Sequence, residues 1–441
     1  MDLLISFLIF LACMIFCLTS GVSMALALAL GLLAFGVVAL RRGFAPGKIV
    51  RMAIKGAGDS MVVVLVMLLI GCLTALWRQS GTIAYFTYHG IRLIPSQVFI
   101  LAAFFLAAIM SYLLGTSFGT AGTMGVILMT IARANNISTI VAGGAVLSGI
   151  YFGDRASPAA SSASLVANET RTDLSKNIRW LLKTSILPML ICTVVYALLS
   201  IPNQPGEMDT SLLTRFEAEF NLTFWCLVPA VLLLVLAFAG MKIKYVMMID
   251  IVVTIILIMF TQHKPLGNIL RTMILGFVPE NADPAAILSG GGVVSMVQVM
   301  ILLLLSSACS GIFEGTQMLA SVEDALVRLA KRIGRFPAMI LTSFGVSAVF
   351  CNQTIGVIMC RQCMQKNYED TPSGRDAMMK DIENSVIVTA ALVPWCIASS
   401  VPMSTLGVDA RSYVFTCFLY LIPICWFFYE RHARRRKKQA R

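Results

Sequence analysis

The stretch LLISFLIFLACMIFCLTSGVSMALALALGLLAFGVVAL, residues 3–40, contains no charged side chain. A helix needs about 20 apolar residues to span the hydrocarbon core of a bilayer, so this stretch is long enough for two spans. We do not expect it to be a cleaved signal peptide, because Asp2 is the only charge before it and the apolar sequence simply continues. The stretch predicts a membrane protein.

The rest of the chain has the same character. Of its 441 residues, 58% are apolar and only 13% are charged. That charged fraction is about half of what soluble domains use to cover their surface. Long apolar segments recur as far as residue 429. These features predict an all-α polytopic membrane protein with roughly 11–13 membrane segments.

The net charge of +12 is concentrated at particular places along the chain, which argues against nucleic acid as a partner. Basic residues cluster in 41–55, 328–335 and 431–441, whereas 203–221 is acidic. Basic short loops mark the cytoplasmic side of a membrane protein. We therefore predict a multi-pass protein of the cell inner (cytoplasmic) membrane, surrounded by lipid, with both termini in the cytoplasm.

The acidic segment divides the chain into two apolar halves. The predicted units are a first transmembrane half, an external loop, a second transmembrane half and a basic cytoplasmic tail, over residues 1–202, 203–221, 222–430 and 431–441. If the basic clusters lie in the cytoplasm, the chain must cross the membrane an even number of times after residue 335. Three apolar segments follow that residue, which is one crossing too many. One of the segments 336–360 and 385–403 should therefore be broken or re-entrant, which membranes tolerate only where protein or water covers the backbone.

Each half contains two polar breaks within apolar surroundings. The first half has GTSFGTAGTMG at 115–125 and GDRASPAASSAS at 153–164, and the second has SAVFCNQTIG at 347–356 and ALVPWCIASS at 391–400. In each half the second break follows the first after roughly 35–40 residues, and corresponding interruptions are typical of inverted-repeat secondary transporters with broken helices, whose site lies at the repeat interface. The halves also share T-x-G-V-I, at 123–127 and 354–358.

The breaks supply hydroxyl and amide oxygens, which are ligands for a small, hard cation. The candidate residues of this kind are Thr116, Thr120, Thr123, Ser157, Ser161, Ser162, Asn352, Gln353 and Thr354. The alternative is that small residues only let helices pack closely, as in the G-x-x-x-G patterns at 115–119 and 149–153.

Two carboxylates complete the candidate site. Asp154 follows an apolar stretch and could bind a cation or exchange a proton, and Glu383 precedes the break at Pro394. Ionisable residues within spans are costly and usually functional. The alternative for Asp154 is an interfacial pair with Arg155. We expect Asp250, in contrast, near the cytoplasmic surface.

Sequence motifs for other chemistry are missing. The sequence contains no phosphate-binding loop and no H-E-x-x-H zinc motif. Cys360 and Cys363 form a lone C-x-x-C, which is a weak metal signal without further cysteines or histidines nearby. We therefore expect a carrier driven by an ion gradient, with no enzymatic activity and no resident cofactor; a channel or a membrane-embedded enzyme is a less favoured alternative.

These motifs, taken in order, resemble the NhaC family of sodium/proton antiporters within the ion transporter superfamily. The resemblance extends over most of the chain. It is carried by GCLTALWRQSG (71–81), GTSFGTAGTMG (115–125), SGIYFGDRASP (148–158), GGGVVSM (290–296), GIFEGTQML (311–319), NQTIG (352–356), LVPW (392–395) and LGV (406–408).

The resemblance implies sodium/proton antiport, with Na+ and H+ as the transported ions. Because Pro158 predicts a helix break at Ser157, we expect Asp154 and Ser157 beside the sodium. The resemblance also implies a homodimer in which scaffold and transport domains are each built from both repeats. Some members couple transport to an organic solute, so the alternative is a sodium- or proton-coupled transporter of an amino acid or small carboxylate. That alternative gains weight because Ser161 occupies the family's second acidic position.

Overall fold

The computed structural model describes residues 2–20, 22–202, 217–279, 288–316 and 320–439. Most of the predicted external loop 203–221 therefore lies outside the described residues. Within the described ranges the chain is helical and has no β-strand, apart from one isolated bridge between Phe277 and Gly290. This confirms the prediction of an all-α protein.

The helices of the first half follow one another with short connections. They are α1 Asp2–Ser20, α2 Met24–Arg41, α3 Pro46–Asp59, α4 Met61–Gln79, α5 Thr82–Leu93, α6 Phe99–Leu114, α7 Ser117–Thr120, α8 Val126–Ala134, α9 Thr139–Ala156, α10 Ser161–Thr170 and α11 Leu174–Ser200. A π-helical turn, Ala121–Gly125, joins α7 to α8.

The second half continues the numbering. Its helices are α12 Val228–Phe238, α13 Ile243–Thr261, α14 Leu266–Leu275, α15 Val293–Thr316, α16 Ala320–Ile333, α17 Arg335–Phe350, α18 Gln353–Met364, α19 Pro372–Glu383, α20 Val386–Thr389, α21 Ile397–Leu406 and α22 Cys417–Gln439. The last helix continues through residue 430 into the predicted basic tail.

Several of these helices are suited to cross a bilayer. In the described ranges, five are long and apolar enough, namely α2, α4, α11, α13 and α15. Segments Pro372–Leu392 and Ile397–Leu406 form a further span that is bent by 51° at a break. That bend confirms the prediction of a broken segment around Pro394, and the apolar helices confirm a polytopic membrane protein.

The first break of each half has the same local geometry. Gly115 directly follows α6 and Cys351 directly follows α17, and both residues have a positive φ, of 63° and 53° respectively. Gly115 N–H donates to Ser111 O at 2.8 Å, and Cys351 N–H donates to Ser347 O at 3.0 Å. Both pairs of equivalent residues are 236 positions apart in the sequence.

The residue that follows Gly115 or Cys351 caps the start of the next helix. Thr116 and Asn352 are extended, and their side-chain oxygens accept hydrogen bonds from backbone N–H groups of the first turn. Such caps satisfy donors that a helix start leaves unpaired. The two T-x-G-V-I sequences are 231 positions apart, five short of this register, so they do not occupy equivalent places.

In each half, the second break contacts the last turn of the helix before the first break, which is α6 in the first half and α17 in the second. Ser157 Oγ donates to Tyr112 O at 2.5 Å, and Trp395 Nε1 donates to Ala348 O at 2.8 Å. Tyr112 and Ala348 are again 236 positions apart. In each half, a hydrogen bond therefore links the second break to the helix that ends at the first break.

Small residues allow α9 to reach this position. A Cβ on Gly149 would lie 2.4 Å from Phe104 O, and one on Gly153 would lie 2.1 Å from Ser111 C. Glycine therefore lets the backbones of α6 and α9 touch, as the G-x-x-x-G alternative predicts for 149–153. This close packing fixes the end of α9, where Asp154 lies.

Candidate functional site

A cavity of about 790 Å³ lies where the breaks of the two halves meet. Residues from both halves line it, so neither half forms it alone. Seven of the predicted site residues are among its lining: Thr116, Asp154, Ser161, Ser162, Asn352, Gln353 and Thr354. Apolar side chains, among them Val62, Val63 and Ile387, form much of the remaining wall.

Asp154 is held between the two halves. Its side chain belongs to the last turn of α9, and the residue is only 4% exposed. Oδ1 accepts a hydrogen bond from Ser117 N–H at 3.4 Å, at the start of α7. Oδ2 accepts one from Gln353 Nε2 at 3.3 Å, at the start of α18. Both bonds are long, so the carboxylate has capacity for a further ligand.

The neighbouring polar side chains surround this carboxylate with oxygen atoms. Ser162 Oγ donates to the backbone oxygen of Asp154, and Ser161 is exposed in the cavity. Asn352 Oδ1 accepts from Thr354 N–H at 2.9 Å. The cavity therefore combines one carboxylate with hydroxyl and amide oxygens.

Three of the predicted hydroxyl residues lie outside the cavity lining. Thr120 and Thr123 donate their hydroxyl protons to Thr116 O and Gly119 O, at 2.8 and 2.7 Å, within their own helical segment. Ser157 is fully buried and its hydroxyl fastens the second break, as described above. In this structure these hydroxyls bond to backbone carbonyls, and Thr123 belongs to the π-helical turn.

Arg155 points away from Asp154. The guanidinium is fully buried and donates to Asn384 Oδ1 at 2.8 Å, Ser185 Oγ at 2.7 Å and Glu383 O at 3.2 Å. Both members of the Asp154–Arg155 pair are buried by protein, which differs from the interfacial pair considered as an alternative. Arg155 instead connects α9 to α11 and to the end of α19.

Glu383 is also absent from the cavity lining. The residue is fully buried at the C-terminal end of α19, where the helix stops before α20. Neither carboxylate oxygen has a hydrogen-bond partner in the described structure. The structure therefore places the two predicted carboxylates in different surroundings, one at the cavity and one buried in the protein interior.

Two lysines that were not predicted as site residues line the cavity. Lys242 and Lys244 lie at the start of α13, and the Lys244 ammonium is 4.9 Å from the ring centroid of Tyr245. In the sequence, basic residues directly before an apolar run indicate only the cytoplasmic side. Their position in the folded chain depends on α13 packing beside α4, which hydropathy does not reveal.

Asp250 differs from its expected place near the surface. The residue is fully buried, and Oδ2 accepts a hydrogen bond from Trp77 Nε1 at 2.8 Å. It does not line the cavity. Among the residues that the structure describes, no group of three or more His, Cys, Asp or Glu side chains could hold a metal ion.

Apolar helices, two paired sets of breaks and a shared central cavity define the class of protein: this is a multi-pass membrane protein with the architecture of a secondary transporter. The family model described as "Na+/H+ antiporter family" matches residues 149–430. The chain therefore belongs to the Na+/H+ antiporter family.

Individual relatives agree with this membership. The chain is 26% identical to the Na+/H+ antiporter NhaC of Bacillus subtilis (strain 168), with 90% of this chain and 89% of the relative covered. It is 23% identical to the malate-2H+/Na+-lactate antiporter of the same organism, with coverages of 88% and 84%. It is 26% identical to NhaC of Alkalihalophilus pseudofirmus, with coverages of 82% and 79%. These findings identify a cation-coupled transporter rather than an enzyme.

Proposed function

We propose that this chain exchanges Na+ for H+ across the cytoplasmic membrane and binds Na+ in the central cavity beside Asp154. The observation that carries the proposal is a buried carboxylate at the point where the breaks of both halves meet. A charge within a membrane span is expensive and is retained where it serves an ion pathway. Na+ and H+ are the cargo of the exchange.

The chemistry of the cavity supports sodium as cargo. Hard cations take oxygen ligands, and Asp154 and Ser161 bring carboxylate and hydroxyl oxygens to one cavity, whose lining also includes Asn352. The positive end of α18 lies beside the carboxylate, because Gln353 begins that helix. A helix N-terminus interacts favourably with a nearby negative charge.

Transport of a small organic carboxylate together with the cation is a second candidate. A cavity of about 790 Å³ has the size of a small-molecule site rather than of a site for one ion. Lys242 and Lys244 add positive charge to its wall and could neutralise a carboxylate ligand. One relative is named a malate/lactate antiporter and another, from Halobacterium salinarum, an arginine/ornithine antiporter.

The orientation in the membrane follows from the same lysines. Lys242 and Lys244 lie at the cavity near Val62 and Val63, which begin α4 directly after the basic helix α3. Basic residues favour the cytoplasmic side. We therefore propose that the cavity opens to the cytoplasm here and that both termini are cytoplasmic. A homodimer, implied by the family resemblance, is likewise proposed and is tested by light scattering on purified protein.

Purified protein in liposomes tests the exchange. An outwardly or inwardly directed proton gradient should drive 22Na+ across the membrane without added organic solute, and 22Na+ flux that ignores the gradient would refute antiport. A thermal-shift screen of ions and metabolites then separates the candidates, because a ligand stabilises the fold by mass action. Sodium-dependent stabilisation by one carboxylate or amino acid would favour the second candidate.

A further inference from the structure

Glu383 has an environment that disfavours its charged form. It is fully buried, and both of its carboxylate oxygens lack a hydrogen-bond partner among the described residues. A charged carboxylate without hydrogen bonds or solvent is strongly disfavoured, so such a group binds a proton instead. The surroundings of Glu383 in this conformation therefore favour its neutral, protonated form over the carboxylate.

Two structural links join Glu383 to the cavity. Arg155, directly after Asp154 in the sequence, donates from Nε to the backbone oxygen of Glu383 at 3.2 Å. Gln353 Nε2 lies 3.3 Å from Asp154 Oδ2 and 3.1 Å from the backbone oxygen of Ile387, which is four residues after Glu383. Through these two contacts, a change in the position or charge of Asp154 can affect the segment that contains Glu383.

Arg155 is a buried cation without an ion-paired carboxylate in the described structure, because its hydrogen bonds go to carbonyl, hydroxyl and amide oxygens. Four contacts involve other charged groups on α19 and on the helices that pack around it. These are Arg361 with Glu169 at 4.0 Å, Arg335 with Asp381 at 2.9 Å, Lys176 with Asp376 at 2.8 Å, and Lys380 over the Trp180 ring at 5.0 Å. The thiols Cys360 and Cys363 are buried on α18.

We propose that Glu383 is the residue that carries the exchanged proton, and that Arg155 transfers the effect of sodium to it by charge balance. Without sodium, Asp154 is anionic, Arg155 is cationic and Glu383 is neutral, so the three side chains sum to zero charge. When Na+ binds, it compensates Asp154, so Arg155 can compensate an anionic Glu383. The O–H bond of Glu383 then breaks and its proton leaves to water. The three side chains and the ion sum to zero charge in both states, which gives one proton per sodium.

This inference rests on the proposed function, since it takes Asp154 as the sodium ligand. It differs from a single-carboxylate exchange, in which Na+ and H+ compete directly for Asp154 and Glu383 is dispensable. Both schemes release a proton when sodium binds, and they separate in whether that release persists once Glu383 can no longer ionise. Proton release is measured with a pH-indicator dye in weakly buffered detergent solution.

The decisive variant is Glu383→Gln, which keeps size and polarity but cannot ionise. We expect wild-type protein to release a proton when NaCl, but not choline chloride, is added, and its half-saturating sodium concentration to rise about tenfold per pH unit on the acidic side. Glu383→Gln should release no proton and should bind sodium more weakly and independently of pH, while 22Na+/Na+ counterflow at saturating sodium persists. Proton release by Glu383→Gln equal to wild type would overturn the inference.

A control and a second variant keep the test decisive. Asp250→Asn removes a different buried carboxyl group, which lies outside the cavity, and should release the proton as wild type does; loss of release there with retention in Glu383→Gln would move the proton site to Asp250. If Glu383→Gln does not elute as folded protein, Glu383→Asp replaces it. That variant should shift the pH midpoint of proton release, and an unchanged midpoint would refute the role of Glu383. Absence of sodium binding in wild type would contradict the proposed function itself.

Discussion

At the scale of single residues, the adjacent side chains of Asp154 and Arg155 at the end of α9 have different surroundings and different roles. Successive residues on a helix point about 100° apart. Asp154 consequently faces the cavity, whereas Arg155 reaches Ser185 on α11 and Asn384 after α19. One turn of helix thus holds the cation ligand and the buried positive charge.

Replacement of Asp154 tests the first of these residues. Asp154→Asn keeps the shape of the side chain and removes the negative charge, so we expect loss of cation-coupled transport in protein that still inserts and folds. Asp154→Glu should retain some transport with weaker sodium affinity, because the longer side chain misplaces the carboxylate. The measurement is proton-gradient-driven 22Na+ flux in liposomes, with size-exclusion chromatography as the folding control. Unchanged sodium and pH dependence in Asp154→Asn would refute the assignment.

Ser161 allows the opposite experiment. It is exposed in the cavity that Asp154 lines, so Ser161→Asp adds a second carboxylate to the site. An added charge about 4 Å from a cation in a water-filled space contributes about 1 kcal/mol, or roughly a fivefold tighter sodium affinity. The thermal shift as a function of NaCl concentration measures this change. Ser161→Asn is the matched neutral control and should leave the affinity near its wild-type value; equal shifts in both variants would contradict the prediction.

The sequence locates the polar breaks but does not separate cavity residues from packing residues within them. Thr116 and Thr120 are both threonines of one break, yet Thr116 lines the cavity while Thr120 bonds to a carbonyl of its own helical segment. The difference depends on which helical face meets the second half of the chain. Residues far away in the sequence decide that face, and the composition of the break carries no information about them.

At the scale of elements, the breaks are defined by how helices end. Gly115 and Cys351 end α6 and α17 with the same backbone conformation, although their side chains differ. Aligning the two halves by their shared T-x-G-V-I sequence would shift them by five residues from the alignment that their helix ends define. The two halves therefore correspond in where their helices end and are capped rather than in identical residues. Helix ends determine where backbone N–H and C=O groups lack a partner within the helix.

Gly115 is a position at a helix end where an added side chain should be costly. Its φ is +63°, and a Cβ there would lie 2.4 Å from the backbone carbon of Ala159 in the second break. Gly115→Ala should therefore destabilise the protein by about 1–3 kcal/mol through strained backbone alone, with the clash adding to it. Gly58→Ala on α3 is the control, because a Cβ added there would meet no atom within 4 Å. Thermal unfolding temperatures should fall only for Gly115→Ala; equal values would contradict the prediction.

At the scale of the whole molecule, hydropathy predicts the class but not the path of the chain. Uninterrupted apolar runs give α2, α4 and α13 directly, because such helices satisfy their own backbone hydrogen bonds in lipid. The bent span at Pro372–Leu406 is predictable from charge placement and prolines. The cavity is not, because it forms only when residues from both halves come together.

The side to which the cavity opens gives a final prediction. Lys242 and Lys244 lie at its wall, and basic residues favour the cytoplasmic side, so Ser161→Cys should react with a membrane-impermeant maleimide in inside-out vesicles and much less in right-side-out vesicles. Sodium should slow the reaction, because the ion occupies the same space.

Ser148→Cys is the matched control for that labelling. Ser148 is fully buried and accepts a hydrogen bond from Tyr196 at 2.6 Å, so a thiol there should not react from either side. Labelling is compared with the unsubstituted chain, whose twelve native cysteines are all buried or half-buried. Reaction of Ser161→Cys only in right-side-out vesicles would reverse the orientation, since the cavity and its lysines would then face outward and the basic segments could not be cytoplasmic.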